Sequence, residues 1–295
     1  MTEIPSSRHS AFQVLTGLFS LPANARIGAG PVLAALMLAA IVLAALLAPF
    51  CVPYDPLAME ATSRLKPPSS DHLLGTDQFG RDTFSRVMYG GRVSLLIGIA
   101  TAIVSVLIGL AIGLVAGFFR AVDGIIMRIM DSLMAIPAIL LAIALVALNG
   151  PSLTSVILAI TIPEVPRVVR LVRSVVLSAR EEPYVEAAIA LGSSMPKILI
   201  QHLMPNTLAP LIVQGTYICA SAILIEAILS FLGAGVSTEI PTWGNIMAEG
   251  RTYFQIKPGL IFWPGLMLSL CILSINLLGD TARDLLDPRL KKREA

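Results

Sequence analysis

The run Val93–Phe119, VSLLIGIATAIVSVLIGLAIGLVAGFF, contains no Asp, Glu, Lys or Arg. A helix needs about 20 apolar residues to cross the hydrocarbon core of a bilayer, so this run predicts a membrane-spanning helix. Gly109, Gly113 and Gly117 recur within it at every fourth position, which places them on one helix face. Such a stripe lets a second helix approach closely, because helix association in lipid depends on packing.

The composition of the whole chain indicates several such helices. Of its 295 residues, 56% are hydrophobic and 14% are charged, whereas soluble domains have about 45–50% apolar and about 25% charged residues. So little charge cannot cover a water-facing surface, which excludes a soluble globular protein. The formal net charge of +2 is too small and too dispersed for a nucleic-acid-binding face, so no nucleic-acid partner is expected.

Six segments predict an all-α membrane protein with about six transmembrane helices. They cover residues 27–50, 93–119, 122–148, 153–172, 208–231 and 259–279. In the third segment, Arg128 and Asp131 are spaced to form an ion pair. The fourth segment is interrupted by two prolines and two charged residues: Pro163, Glu164, Pro166 and Arg167.

These spans divide the chain into five parts. They are an N-terminal segment 1–26, the first helix 27–50, a segment 51–92 with an amphipathic helix, a five-helix core 93–279 that includes a loop at 178–207, and a tail 280–295. If the amino terminus is inside, the inside segments hold 14 Lys and Arg residues and the outside segments hold 7. Since Lys and Arg are enriched in cytoplasmic loops, both termini and the 178–207 loop are predicted to be cytoplasmic.

Motifs for catalysis are missing from the sequence. The nucleophile pattern GxSxG, the zinc pattern HExxH and the phosphate-binding pattern GxxxxGK[ST] do not occur. Cys51, Cys219 and Cys271 match no metal-ligand spacing, and only Glu226 is an ionisable residue well inside a span. We therefore expect no catalytic residue, metal or cofactor on this chain. A proton-coupled carrier is disfavoured, since it needs several ionisable groups at mid-depth.

The largest predicted cytoplasmic loop begins with the signals of a short helix. Glu181 and Glu182 precede Pro183, an arrangement typical of a helix start with acids near the positive end of its dipole. Good helix formers follow from Tyr184 onward, and Gly192 suits a left-handed C-cap.

A second short helix is predicted after that glycine. Ser193 or Ser194 can cap it, Pro196 lies in its first turn, and it covers 197–204 before Pro205–Asn206 ends it. Two helices joined at a glycine form a compact projection suited to docking a cytosolic partner. A solvated amphipathic hairpin is the alternative that these residues leave open.

Within this loop the sequence resembles the membrane subunits of ATP-binding-cassette (ABC) importers. Their signature is E-A-A, three residues, G, nine residues and I-x-L-P. Here Glu186-Ala187-Ala188, Gly192 and Pro205 fit that signature, whereas His202 and Met204 replace the isoleucine and leucine. The His-x-x-Pro-Asn ending is typical of the dipeptide, oligopeptide and nickel branch of the family.

Further segments agree with that branch and occur in the expected order. The stretch 72–92 resembles the extracytoplasmic segment before the second span, and 276–289 resembles the carboxyl-terminal ending. The residues 230–233 and 241–244 also match. The likeness extends from about Ala48 to Arg289 and is greatest to the second of the two permeases in such systems.

The resemblance implies a type I ABC importer permease fold in a bacterial inner membrane, with this chain as half of the translocation path. It implies three kinds of partner besides membrane lipid: a second homologous permease, two cytosolic ATP-binding subunits that hold ATP and magnesium, and a periplasmic or lipid-anchored solute-binding protein. The solute class stays open between dipeptides, longer peptides, glutathione, opines and chelated nickel. The residues that it assigns to ATPase coupling are Glu186, Ala187, Ala188, Gly192, Pro196, His202 and Pro205.

Two interpretations stay open for each remaining group of polar and aromatic residues. Glu226 lines the translocation path or is a carboxyl hydrogen-bonded to a neighbouring helix. Arg167, Arg170 and Arg173 reach lipid headgroups or contact an ATPase, with Glu164 placed to pair with the first of them.

Outside the membrane, two interpretations also stay open for four charged residues and for two tryptophans. Asp77, Arg81, Asp82 and Arg86 form an interfacial amphipathic helix or contact the binding protein. Trp243 and Trp263 anchor the sixth span at the interface, although the Trp243 loop is also a possible binding-protein contact. For the whole chain, the alternative function is a secondary carrier or channel that works alone.

Overall fold

The computed structural model describes residues 28–286, and the predicted segment 1–26 and the end of the predicted tail lie outside that range. Within the described range the regular structure is helical apart from one isolated bridge between Thr76 and Asp82. Ten α-helices follow one another within residues 28–286. They are α1 Ala29–Cys51, α2 Thr83–Phe118, α3 Arg120–Met134, α4 Ala138–Asn149, α5 Leu153–Ala179, α6 Pro183–Ala190, α7 Met195–Ile198, α8 Met204–Phe231, α9 Trp243–Gly250 and α10 Gly259–Leu286.

In the part of the chain that the structure describes, four stretches are long and apolar enough to cross a membrane: α1, α2, the stretch Met195–Phe231 and α10. The pair α3–α4 makes a fifth if it counts as one span, but its axes are bent by 86°. A continuous third helix over 122–148 is therefore wrong, because the chain turns at Ala135–Pro137 and Pro137 disfavours helical backbone before it. The predicted fourth span, 153–172, lies within α5, which extends through Pro163 and Pro166 to Ala179. This helix is long enough to cross a membrane but is not among the apolar stretches above.

The glycine stripe of α2 faces α5, as its spacing predicts. A Cβ atom added to Gly109, Gly113 or Gly117 would lie 2.4–2.6 Å from the Cβ of a valine on α5. The three valines are Val168, Val172 and Val176, which are fully buried. The two backbones are therefore in contact at a distance that only glycine permits.

The segment between α1 and α2 differs from the predicted interfacial helix. A short 3₁₀ turn covers Ala61–Ser63, and Asp82 caps α2 by accepting a hydrogen bond from the Ser85 backbone N–H. The residues after Asp82 thus belong to the same helix as the second span. Asp77, Arg81, Asp82 and Arg86 are all at least 97% buried, so they do not form the charged face of an amphipathic surface helix.

A buried charge cluster ties this segment to α9. We define it as Asp77, Arg81, Arg86 and Glu249. The Arg86 Nη1 atom donates to Asp77 Oδ2 at 2.5 Å and to Glu249 Oε2 at 2.6 Å. Arg81 donates its Nε–H to Asp77 at 2.6 Å and also pairs with Glu249. Two cations and two anions thus balance at this end of the bundle.

Trp243 lies next to this cluster and is only 2% exposed. Its indole N–H donates to the Val87 carbonyl oxygen at 3.0 Å, and its ring contacts Gly91 of α2. The predicted interfacial anchor is therefore wrong for this tryptophan, since the indole packs inside the bundle. Trp263, on α10, is half-buried beside Phe262.

Candidate functional site

The loop that carries the E-A-A residues begins with α6 as the sequence predicts. Glu182 is its N-cap residue and Pro183 occupies its first turn, where the missing N–H costs no hydrogen bond. Gly192 has φ +75°, a conformation that favours glycine. The Gly192 N–H donates to the Ile189 carbonyl and the Ser193 N–H donates to the Ala188 carbonyl, which together form a Schellman C-cap.

The second half of the loop does not end where the sequence predicts. After α7, a π-helical turn Leu199–Leu203 leads directly into α8, and the axis continues without a break from Met195 to Phe231. The prediction that Pro205–Asn206 ends the second helix is therefore wrong. Pro205 is tolerated because it lies in the first turn of α8, where the wider π-helical turn has already displaced the regular hydrogen-bond pattern.

The side of the loop that faces the helix bundle packs against the membrane-spanning helices. Val185, Ile198 and Leu203 are at most 1% exposed and belong to one apolar cluster with Val172 and Val176 of α5. This burial joins α6 and the α7–α8 rod to the central helix of the bundle. The loop is therefore packed as part of the fold.

Polar contacts strengthen that attachment. The Asn206 side-chain N–H group donates to the Tyr184 hydroxyl at 2.8 Å and to the His202 carbonyl at 2.7 Å, which links α6 to the start of α8. Arg180 donates to the carbonyl oxygens of Gly117 and Phe118, each at 3.4 Å, at the C-terminal end of α2. These carbonyls are among those that a helix end leaves without intrahelical donors.

The opposite side of the loop is exposed and largely apolar. We call this surface the coupling face. Leu191 is 86% exposed and Ile200 is 56% exposed, although both are large and apolar. Several exposed large apolar side chains within one loop are typical of a protein–protein interface. Its other large apolar members are Tyr184, Ile189 and Met195.

The seven residues assigned to coupling lie together, but they divide between the two sides of the loop. Ala188 is buried against the bundle, and Pro205 and His202 are half-buried. The His202 ring stacks on Tyr184 with ring centroids 6.4 Å apart. The remaining four are exposed with the coupling face: Glu186, Ala187, Gly192 and Pro196.

Glu226 lies inside α8 with no exposed surface. Its carboxyl accepts a hydrogen bond from the Ser230 hydroxyl at 2.8 Å, and the Ser94 hydroxyl of α2 lies at 3.5 Å. Of the two predicted alternatives, these contacts support the one in which the Glu226 carboxyl is hydrogen-bonded to a neighbouring helix. A place on the translocation path stays a prediction.

The arginines of α5 make ion pairs within the chain. Arg167 donates to Glu164 at 2.8 Å, as their spacing predicts. Arg170 instead pairs with Asp131 of α3 at 2.6 Å, so the predicted pair between Arg128 and Asp131 is replaced by a contact between helices.

Arg173 makes the second contact between α5 and α3. Its Nε and Nη2 atoms donate to the two carboxylate oxygens of Asp123 at 2.5 and 2.6 Å. A bidentate pair of this kind fixes the relative position of two helices. The role of Asp123 is not among the sequence predictions, although its separation from Asp131 by eight residues places both aspartates on one face of α3. The prediction that Arg170 and Arg173 reach lipid headgroups is replaced by these pairs.

The proteins that this chain is similar to agree with the family that the sequence resembles. Residues 87–292 match the family model described as "Binding-protein-dependent transport system inner membrane component". The chain belongs to this family. It is therefore a multi-pass inner-membrane permease subunit of an ABC importer, and such a permease works with ATP-binding subunits, a second permease and a solute-binding protein. A carrier that works alone is not favoured.

Relatives of the permease cover most of its length. It is 54% identical over 239 residues to a probable peptide ABC transporter permease of Sinorhizobium fredii, which covers 81% of this chain and 82% of the relative. It is 41% identical over 257 residues to a dipeptide transport system permease of Alkalihalophilus pseudofirmus, covering 87% and 84% of the two chains. The subunit type in this family is typically non-catalytic.

A solved structure shares the fold of the permease. An inward-facing form of the MetNI methionine ABC transporter superposes with a TM-score of 0.54 at 20% identity, covering 68% of this chain and 96% of that one. The described helices thus correspond to a type I importer permease, as the resemblance implies.

Proposed function

We propose that this permease forms half of a translocation path for short peptides and that a cytosolic ATP-binding subunit drives it through the coupling face. The peptide class is supported by the relatives that are named peptide and dipeptide permeases. Under this proposal both termini and the coupling face are cytoplasmic, in accord with the distribution of Lys and Arg.

The observation that carries the proposal is the continuity of the coupling face with a membrane-spanning rod. The 37 residues from Met195 to Phe231 form one axis, which at 1.5 Å per residue is about 55 Å long. A displacement of α7 is therefore transmitted along α8 to the other side of the bilayer. Because α6 packs on α5 through Val185, the same displacement also reaches the central helix.

Six exposed residues of the coupling face have a role in this proposal. Glu186 pairs with a basic group of the ATP-binding subunit, and Ala187 permits close approach of that subunit. Leu191, Ile189 and Met195 supply the apolar contact area. Gly192 holds the angle between α6 and α7, because its positive φ admits few other residues.

ATP hydrolysis by the reconstituted importer tests the docking role. In proteoliposomes with the partner subunits, Glu186→Lys and Gly192→Pro are expected to abolish hydrolysis stimulated by the loaded binding protein. Membrane insertion of both variants should be unchanged. Glu181→Lys is the matched charge control, since Glu181 is exposed but precedes the helix, and should behave like the unmodified chain. Normal stimulation with Glu186→Lys contradicts the docking role.

Cysteine labelling tests the orientation. The test uses a Cys51→Ser background, because the native Cys51 is itself exposed. In intact cells, a membrane-impermeant maleimide is expected to label Ser70→Cys, in the segment before α2, and to leave Ala187→Cys unlabelled until the cells are opened. Both positions are exposed, so the difference reports the side of the membrane. Labelling of Ala187→Cys from outside would end the proposal.

Uptake measurements test the solute class. Proteoliposomes that contain the complete importer should accumulate a radiolabelled dipeptide delivered by the cognate binding protein, and excess unlabelled dipeptide should abolish the signal. Accumulation of a nickel chelate without competition from dipeptides would replace the peptide assignment and leave the coupling role intact.

A further inference from the structure

An apolar groove of about 650 Å³ lies between α1 and α2, and Leu153 of α5 and Ile240 complete its lining. Leu96, Ile99 and Ile103 of α2 form its floor, and each is 49–53% exposed, so the groove opens to the outside of the chain. Leu46 of α1, 59% exposed, forms one wall. The volume lies within the ~300–1,000 Å³ typical of small-ligand sites.

One end of the groove carries a positive charge. Arg92 lines it together with Tyr89, and the Arg92 guanidinium lies 5.8 Å from the centroid of the Tyr89 ring. Among residues 28–286, no carboxylate lies within ion-pair distance of Arg92. It is also the last charged residue before the uncharged run that starts at Val93, which places it at the boundary of the hydrocarbon core.

The groove has the length of one lipid chain. From Arg92 to Ile103 the helix rises about 16 Å, close to half of the ~30 Å hydrocarbon thickness. Residues 92, 96, 99 and 103 follow the i, i+4, i+7, i+11 spacing of one helix face. A charged head and an apolar track of one-leaflet length therefore lie on a single line.

We propose that this groove is a binding site for an anionic phospholipid, with the phosphate on Arg92 and one acyl chain along Leu96, Ile99 and Ile103. A guanidinium matches a phosphate through two parallel N–H···O bonds. The Tyr89 ring, which lies against the guanidinium, is of the kind that favours the headgroup region. Because α1 supplies the other wall, the lipid would also hold the first span against α2.

A second permease is the competing occupant. A helix in the groove would need an acidic residue at the level of Arg92 to satisfy the guanidinium, whereas every phospholipid supplies a phosphate at that depth. An anionic phospholipid adds the net negative charge that a basic residue attracts. The charge at the boundary therefore favours lipid. Occupancy by the partner subunit is kept as an outcome of the test.

Photo-crosslinking in nanodiscs tests the site on the complete importer. The probes are phosphatidylglycerol and phosphatidylcholine with the same photoreactive acyl chain, and crosslinked peptides are located by mass spectrometry. Phosphatidylglycerol is expected to label the peptides around 42–46 and 96–103 about five-fold more than phosphatidylcholine does, the preference that one basic residue gives. Arg92→Gln should remove this preference, and Arg92→Lys should retain part of it.

Two matched variants separate the groove from the general lipid surface. Ala100→Trp fills the groove and should reduce labelling at 96–103 for both probes. Ala111→Trp makes the same change on the same face three turns further along α2, where residue 111 is exposed and does not line the groove, and should leave labelling unchanged.

Two results overturn the proposal. The first is equal labelling by both probes that Arg92→Gln does not alter, which is the behaviour of bulk lipid. The second is protection of 96–103 in the complete importer with labelling only in the isolated chain, which would assign the groove to the second permease. Arg251→Gln, at an exposed arginine that does not line the groove, is the charge control and should retain the preference.

Discussion

Adding a single methyl group to the glycine stripe tests how closely α2 and α5 must approach. The change is Gly113→Ala, whose new Cβ would lie 2.6 Å from the Cβ of Val172. Cβ atoms do not move when a side chain rotates, so no change of rotamer relieves this contact. Only a backbone shift of about 1 Å restores an ordinary separation, and overpacking of this kind costs about 1–3 kcal/mol.

The expected change in the free energy of unfolding combines two opposing effects, overpacking and helix propensity. Alanine is more favourable than glycine inside a helix by about 1 kcal/mol, so the net destabilisation of Gly113→Ala should be about 0–2 kcal/mol. Gly124→Ala isolates the favourable term, because a Cβ there meets no atom within 4 Å. We expect that control to raise the free energy of unfolding by up to ~1 kcal/mol.

A double-mutant cycle in mixed detergent micelles measures the contact itself. Reversible unfolding would be followed by the fluorescence of Trp243 and Trp263. Combining Gly113→Ala with Val172→Gly removes the clashing Cβ and should show a rescue of about 1–3 kcal/mol relative to additivity. Combining it with Val172→Ala keeps that Cβ and should show less rescue. Equal rescue by both combinations would refute the backbone-contact argument.

Three further changes test other parts of the fold and site. Arg86→Met should lower the free energy of unfolding by about 3–5 kcal/mol, because Asp77 and Glu249 are left to share one cation, and an unchanged thermal midpoint contradicts this. Trp243→Phe removes the indole donor and should cost about 1 kcal/mol in the same unfolding assay, with a larger loss pointing to packing. Glu226→Gln should keep peptide uptake at normal affinity, because an amide also accepts the Ser230 hydrogen bond; loss of uptake affinity supports a place on the path.

The spans were predictable because the bilayer fixes their length and excludes charge. Val93–Phe119 is helical through Phe118, and its glycine stripe meets a partner helix as expected. The bend between α3 and α4 was not predicted, because an apolar run specifies burial in lipid but not the direction of the axis. Pro137 was the available signal, since a proline disfavours helical backbone in the residue before it.

The burial of the charge cluster could not be predicted from the spacing of its residues in the sequence. Asp77, Arg81 and Arg86 lie within ten residues of one another and carry both signs, which fits an amphipathic surface helix equally well. Their burial depends on Glu249, which is 163 residues from Arg86 and comes into contact only when α9 folds back onto α2. Contact of Asp77, Arg81, Asp82 and Trp243 with a binding protein stays a prediction, and their burial shows that their side chains first stabilise this end of the permease.

The continuous helix Met195–Phe231 links the coupling face to α9, the helix that carries Glu249 of the buried charge cluster. The proposed mechanism depends on this link. At the far end of α8, Gly244 of α9 contacts Ala227 and Ser230 so closely that a Cβ at position 244 would lie 2.7–2.8 Å from them. Glu249, on the same short helix, is held by two arginines of the opposite segment. A displacement at α7 that passes the π-helical turn Leu199–Leu203 and Pro210 reaches α9 through this backbone contact. Under the proposed function, the end with the coupling face and the end with α9 should therefore move together, which is what an importer needs if a motor on one side is to control release from a binding protein on the other.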